Sequence, residues 1–199
     1  TKRFRDAVVD RESYREALGI QQDQILVLAV GELSHRKNHQ IIIKALAKAQ
    51  ISQAVFMICG NAMTNANTKE ELELLAKENG VNLRLMGLRD DIPQICKCAD
   101  IGVMPSIREG LGLSGIEMLA SGLPVIASNV HGIVDYITNG IDGYLCDPFD
   151  EVEFATAIKK LLNPEQRTAM AENCPKAAEP FDIAHSCKAM QEIYRELLV

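Results

Sequence analysis

Two glutamates, Glu109 and Glu117, stand eight residues apart across the stretch Pro105-Ser106-Ile107-Arg108-Glu109-Gly110-Leu111-Gly112, which runs into an apolar helical segment. Carboxylate oxygens accept hydrogen bonds, and sugar hydroxyls are suitable donors to them. Glu117 shares a helical face with Leu113 and Ala120, so it should be half buried and in need of partners. Read alone, it is equally a carboxylate favoured by the helix dipole in a first turn. Gly110 and Gly112 allow a ligand to approach the backbone closely. The helix that follows aims unpaired N–H groups at the same place, which makes an anion site.

A second feature is basic. The loop Gly31 to Asn38 reads GELSHRKN and places Arg36 and Lys37 just before a helix. Both offer charge-assisted donors to phosphate oxygens, although by themselves they also fit a solvated surface pair. The loop has neither the G-x-G-x-x-G of dinucleotide enzymes nor the G-x-x-x-x-G-K-[ST] of a P-loop, which argues against a dehydrogenase or an NTPase.

Other reactive side chains carry weaker signals. Asp90-Asp91 precede Ile92-Pro93 and read as a helix cap. His35, His39, His131 and His185 have no metal spacing; His35 neighbours the basic pair, and His131-Gly132 lies in a strand-to-helix loop. Cys96-x-Cys98 is half of a zinc pattern without a second pair, so no metal is expected. Six cysteines in mostly apolar contexts suit reduced thiols in the cytoplasm. A net charge of −6 excludes nucleic acid, or an anionic membrane, held by bulk charge. No apolar run reaches the roughly 18 to 20 residues of a membrane span. The start, Thr1-Lys2-Arg3-Phe4-Arg5, has no apolar region behind it and no initiator Met, so an excised or processed piece of a longer protein is expected, without a signal peptide.

These groups need elements to position them. Ile25 to Val30 (ILVLAV) is a continuous apolar run stopped by Gly31, as in a strand buried on both faces. Further strands are predicted over Ala54 to Cys59, Val81 to Met86, Ile101 to Met104 and Leu123 to Ala127, with short elements near Val134 to Ile137 and Gly143 to Cys146. Helices are predicted after Asn38, over Thr68 to Asn79, from Asp90 or Asp91 to Cys98, from Gly112 to Ala120, over Glu151 to Leu162 and from Pro164 to Glu172. A polar loop covers Asn61 to Asn67. Strands alternating with helices make a Rossmann-like three-layer α/β/α parallel sheet. In such a sheet, ligands bind beyond the strands' carboxyl ends, where the loops above lie.

Both ends read as connectors. Residues 1–20 form a lead-in with a charged helix from Asp10 to Leu18, and residues 21–180 form the compact domain. Residues 181–199 form a terminal helix whose stripe (Ile183, Ala184, Cys187, Met190, Ile193, Tyr194 and Leu197) either packs on its own domain or bridges to an absent one.

Taken together and in order, four stretches resemble the C-terminal domain of family 4 retaining glycosyltransferases, which have the GT-B fold. They are Gly31 to Asn38, Gly87 to Pro93, Pro105 to Ala120 and Ser121 to Ser128 (SGLPVIAS), within a similarity running from about Ile25 to Pro148. The resemblance implies that Glu109 and Lys37 are catalytic. Glu109 would meet donor-sugar hydroxyls, Glu117 the ribose, and Lys37, with Gly31 and Arg36, the diphosphate. Gly110, Leu111, Gly112 and Leu113 would hold the distal phosphate, and Leu88 and Arg89 with Gly87 the base.

The implied donor is a nucleotide-diphosphate sugar with uridine as the base, and neither a metal nor another cofactor is required. The acceptor, and any peripheral membrane contact, would belong to an N-terminal domain outside this chain. A role in cell-surface polysaccharide synthesis is implied as well. Many relatives carry Arg where this chain has Glu32, and Arg36 would have to compensate. The rival readings are a non-catalytic nucleotide-sugar-binding module and a sugar-nucleotide epimerase of the same fold.

Overall fold

A computed structural model of the chain describes residues 1–62 and 68–197. Six parallel strands form one sheet: β1 (Ile25–Val30), β2 (Ala54–Cys59), β3 (Asn82–Leu85), β4 (Ile101–Met104), β5 (Val125–Ser128) and β6 (Gly143–Cys146), in the order β3-β2-β1-β4-β5-β6. Leu28 of β1 pairs with Met57 on one side and Gly102 on the other. Ten α-helices are described. They are α1 (Lys2–Arg5), α2 (Arg11–Ala17), α3 (His39–Ala49), α4 (Thr68–Glu78), α5 (Ile92–Cys98), α6 (Leu113–Ala120), α7 (Glu151–Leu161), α8 (Pro164–Ala171), α9 (Cys174–Ala178) and α10 (Ile183–Leu197).

Side-chain alternation divides the core into two layers. Val27, Ala29 and Phe56 pack with Ile42 of α3 and with Phe154 and Ile158 of α7. Leu26, Leu28 and Met57 face the other way, against Ile95 of α5 and Met118 and Leu119 of α6. Helices therefore cover both faces of the sheet, the arrangement a parallel sheet requires because its strands are apolar on both sides.

Several boundaries depart from the sequence reading for identifiable reasons. Asn38 does not cap α3 through its side chain. Its backbone is left-handed (φ 53°) and its amide donates to the Pro148 carbonyl at 2.8 Å. Asp91 stands at the start of α5 but gives its carboxylate to Arg89 and Tyr14 instead of to helix amides. β3, at the sheet edge, is shorter than Val81 to Met86, and β5 begins after Pro124, whose carbonyl still accepts from Gly102. α9 follows a break at Asn173, carries Pro175 in its first turn and has no apolar repeat of its own in the sequence. The loop predicted over Asn61 to Asn67 lies outside the described residues from 63 onward, as does Leu198 of the predicted terminal helix. Every described residue of α10 is exposed, Ile183 and Leu197 by 69% and 75%, so its apolar stripe does not pack on this domain.

The first twenty residues are fastened to the sheet. Phe4 and Ile20 join the core layer under α5 and α6. Arg15 of α2 is buried and donates to the carbonyls of Cys98, Gln21 and Gln24 and, at 3.1 Å, to Asp100. Asp100, itself buried at the foot of β4, also accepts from the Leu26 amide at 2.8 Å and from Arg11 at 2.7 Å. Removing one member of a buried pair leaves the other charge uncompensated. Asp100→Ala is therefore expected to lower unfolding stability by about 3–5 kcal/mol, read from the urea midpoint. A loss below about 1 kcal/mol would show the network to be dispensable.

Candidate functional site

The strand order reverses between β1 and β4, so the loops that leave their carboxyl ends diverge and enclose a crevice. On one wall, the chain turns after Gly31 through a short 3-10 segment, His35–Lys37, into α3. On the other, it leaves β4 through Pro105 to Gly112 into α6. The two walls are tied together: the Ile107 amide donates to the Arg36 carbonyl at 2.9 Å, and the Arg36 guanidinium donates to the Arg108 carbonyl at 3.1 Å.

Glu109 is the electrostatic centre of this junction. Its side chain is 9% exposed and its Oε1 is ion-paired with Lys37. The same oxygen accepts from Ser106 Oγ at 3.0 Å and lies 3.4 Å from Arg36. Its Oε2 has no hydrogen-bond partner among the described residues. Arg36 is paired in addition with Glu32 at 2.7 Å, and Ser34 Oγ donates to the same Glu32 oxygen at 3.1 Å. Those two donors hold the Glu32 carboxyl below its ordinary pKa. His39, at the base of the loop, is pushed down to a pKa of about 4 by burial, so its neutral ring donates from Nε2 to the Glu32 carbonyl at 3.2 Å.

Beyond Glu109 the backbone itself is the functional group. Gly112 enters α6 in a left-handed conformation (φ 72°) and offers no side-chain cap. Among the described residues, the amides of Gly110, Leu111, Gly112, Leu113 and Ser114 donate to no protein acceptor. These five donors, beside Lys37, can surround a polyanion. A cleft of about 520 Å³ opens next to them, lined by Ile107, Arg108, Glu109, Asn129, Val130, His131 and Val134.

The loop is braced by residues that carry no sequence motif. Tyr136 is buried and its hydroxyl donates to the Gly112 carbonyl at 3.2 Å. Burial, with the nearby Glu109 charge, raises its pKa, so the phenol stays a donor. Gly132 (φ 83°) presses on the same loop, and a Cβ there would lie 2.1 Å from the Gly110 carbonyl oxygen. The glycine of the His131-Gly132 pair is the only sequence signal for this brace; Tyr136 gives none.

The other expected site residues occupy neighbouring positions. Glu117 begins the second turn of α6, not the first, and burial raises its carboxyl pKa. The first turn of α6 holds no acidic residue, so Glu117 stands beyond the turn where the helix dipole acts most strongly. Its carboxylate has no hydrogen-bond partner among the described residues. The loop after β3 joins the crevice through the Gly60 amide, which donates to the Gly87 carbonyl at 2.8 Å. There Leu88 is 78% exposed, while Arg89 makes two bonds to Asp91 at 2.8 and 2.5 Å. Arg89 and Tyr14, bonded to the same carboxylate, draw Asp91 down to about 2. The structure brings Gly31, Arg36, Lys37 and Glu109 together, with Gly110 to Leu113 running on from Glu109, whereas the charges nearest Glu117 are the N-terminal amine and Arg3, and Arg89 is engaged with Asp91. Among the described residues, no group of three or more His, Cys, Asp or Glu could hold a metal. No described helix is long and apolar enough to cross a membrane.

The family model described as glycosyl transferases group 1 matches residues 10–178. A D-inositol 3-phosphate glycosyltransferase of Corynebacterium jeikeium is 32% identical over 196 residues, covering 94% of this chain and 47% of that protein. A crystal structure of Anabaena Alr3699/HepE in complex with UDP superposes with a TM-score of 0.90 at 25% identity, over 97% of this chain and 54% of that one. The C-terminal domain of a glycosyl transferase group 1 family protein (LpcC) from Francisella tularensis shares the fold, with a TM-score of 0.80 at 23% identity, over 90% of this chain and 96% of that one. The chain spans about half the length of the curated relatives it matches.

The brace gives a direct expectation. Gly132→Ala must displace Gly110 and Leu111, and losing one charge-assisted bond to a phosphate lowers affinity by about tenfold or more. Calorimetric titration with UDP should show this loss while the circular dichroism spectrum is unchanged. Unaltered affinity would mean that the amide loop does not hold the anion.

Proposed function

The chain belongs to the glycosyl transferases group 1 family, and we propose that it is the donor-binding half of a two-domain, family 4, retaining glycosyltransferase. One observation carries this reading: Lys37 and five amides that are unpaired among the described residues converge beside Glu109 at the point where the strand order reverses. A diphosphate fits the cation and the amides, and the unused Oε2 of Glu109 fits a hydroxyl of the attached sugar.

The remaining roles follow from position. Glu117, half buried and without a hydrogen-bond partner among the described residues, would take the ribose hydroxyls. Gly87 and Leu88 would face the base, with Arg89 held beside them by Asp91. The donor would be a UDP-sugar, a reading supported by the UDP complex of the Anabaena protein. As the sugar–oxygen bond breaks, its electron pair stays on the diphosphate. Donors already aimed at that oxygen stabilise the transition state without reorganising. The acceptor would attack the face that the diphosphate leaves, which retains the anomeric configuration. The acceptor site would lie in an N-terminal half outside this chain, and the exposed stripe of α10 would return to that half. A role in cell-surface polysaccharide synthesis accords with these parts.

Two substitutions separate the ligand groups. Lys37→Ala should weaken UDP by about 1.5–3 kcal/mol, as for a charge-assisted contact. Glu117→Gln should weaken UDP but spare inorganic pyrophosphate; equal losses for both ligands would remove the ribose assignment. These variants are compared by calorimetry.

A third expectation concerns turnover. Transfer needs both reactants in near-attack geometry, an effect of about 7–11 kcal/mol, and the described site residues all address the donor. This chain, incubated with a panel of UDP-sugars and mixed acceptors, should bind donor and transfer nothing, whereas a protein carrying both halves should be active. Transfer by this chain at a comparable rate would overturn the half-enzyme reading.

A further inference from the structure

Charge in the ion-pair cluster at the base of the crevice is balanced before any ligand arrives, with the Arg108 side chain lining the cleft beside it. Arg36 and Lys37 supply two positive charges, and Glu32 and Glu109 supply two negative ones. The carboxylates are not equivalent. Glu109 is nearly buried, touches both cations and keeps an oxygen for the ligand. Glu32 is 32% exposed, touches only Arg36 and Ser34, and lies one guanidinium away from Glu109. Nor is Glu32 needed to place Arg36, which is also anchored to the Arg108 carbonyl and, through its own carbonyl, to the Ile107 amide. What Glu32 adds to the crevice is a fixed negative charge, present throughout the neutral pH range.

On the donor-site reading above, we propose that Glu32 is a specificity-determining residue, which makes the crevice favour a sugar-capped diphosphate over the free nucleoside diphosphate left after transfer. The two ligands share their phosphates and differ in charge. In the nucleotide sugar each phosphate carries one ionised oxygen and neither titrates near neutrality. Once the sugar–oxygen bond is broken, the terminal phosphate keeps only its anhydride link and, like a phosphate monoester, gains a second ionisation with a pKa of about 6, so it takes on almost one more negative charge by pH 7.5. A carboxylate held beside the diphosphate repels the more highly charged product more strongly. The crevice would then release product readily while still retaining donor.

The test is calorimetric titration of this chain and its Glu32→Gln variant with UDP and with UDP-glucose, at pH 7.5 and pH 5.5. Glutamine has the same shape and keeps an oxygen for Ser34 and Arg36, so only the charge changes. At pH 7.5 the variant should bind both ligands more tightly, and the gain for UDP should exceed the gain for UDP-glucose by roughly fivefold, the Coulomb effect of the one charge by which they differ, within about a Debye length. At pH 5.5, where the terminal phosphate is mostly protonated, the two ligands should respond nearly alike. Equal tightening of both ligands at pH 7.5 would overturn the inference, and so would weakening of both, which would make Glu32 a support for Arg36. Failure of the unsubstituted chain to bind either ligand overturns the donor-site reading, and this inference with it.

Discussion

The pairing of β1 with β4 is the constraint on which the site depends. β1 is hydrogen-bonded on both sides and buried on both faces, so it can neither shift nor twist independently. From that fixed line the chain leaves β1 toward α3 and leaves β4 toward α6, on opposite faces of the sheet. The gap between the two departures is a geometric necessity of the strand order. Arg36 and Ile107 cross it by backbone and guanidinium bonds, which set its width.

Within that gap, Glu109 acts as an internal anion. A carboxylate so little exposed is tolerated because two cations and a hydroxyl meet one of its oxygens. Lys37 and Arg36 are thereby held in the geometry an arriving polyanion would need, with their side-chain entropy already lost. A phosphate entering beside the amides of Gly110 to Ser114 would compete with Glu109 for Lys37, and the freed carboxylate could turn to a neutral hydroxyl. Partner exchange of this kind keeps Glu109 hydrogen-bonded, while the negative charge that a diphosphate adds to the cluster falls to the amides of Gly110 to Ser114 to offset.

The sequence made the sheet legible because the central strands β1 and β2 are unbroken apolar runs, ILVLAV and AVFMIC, and because a glycine stops each of the first three strands, even the edge strand NLRL with its Asn82 and Arg84. The crevice loops were legible for a related reason, since glycines and charges in otherwise apolar surroundings have few structural uses. Three kinds of information were not local. Tyr136 supports Gly112 from 24 residues away, and an isolated tyrosine says nothing about its partner. Asn38 has the chemistry of a helix cap, but a competing carbonyl at Pro148, reached only in the folded chain, takes its amide. The stripe of α10 has the periodicity of a buried helix, and periodicity carries no information about which surface covers it. Arg36 and Lys37 were recognisable as a cationic pair, but their sharing of Glu109 depends on two loops meeting in space.

The two ends of the strands treat polar groups in opposite ways. At the amino ends, both Asp100 oxygens and four of the Arg15 hydrogen bonds are satisfied by protein partners, which suits a region whose work is to anchor α2 to the sheet. At the carboxyl ends, five consecutive amides, one Glu109 oxygen and the Glu117 carboxylate lack protein partners among the described residues. Leaving donors unpaired in a folded protein costs stability unless solvent or a ligand satisfies them. The saturated end can offset that cost because it lies on the same rigid strands, a few residues away along β1 and β4. Stability and binding are therefore separated along the strand direction. A substitution at Asp100 should act on folding with little selectivity for ligand, the charge change Glu32→Gln should act on the ligand with little effect on folding, and Gly132→Ala, strained at φ 83° against the Gly110 carbonyl, should act on both.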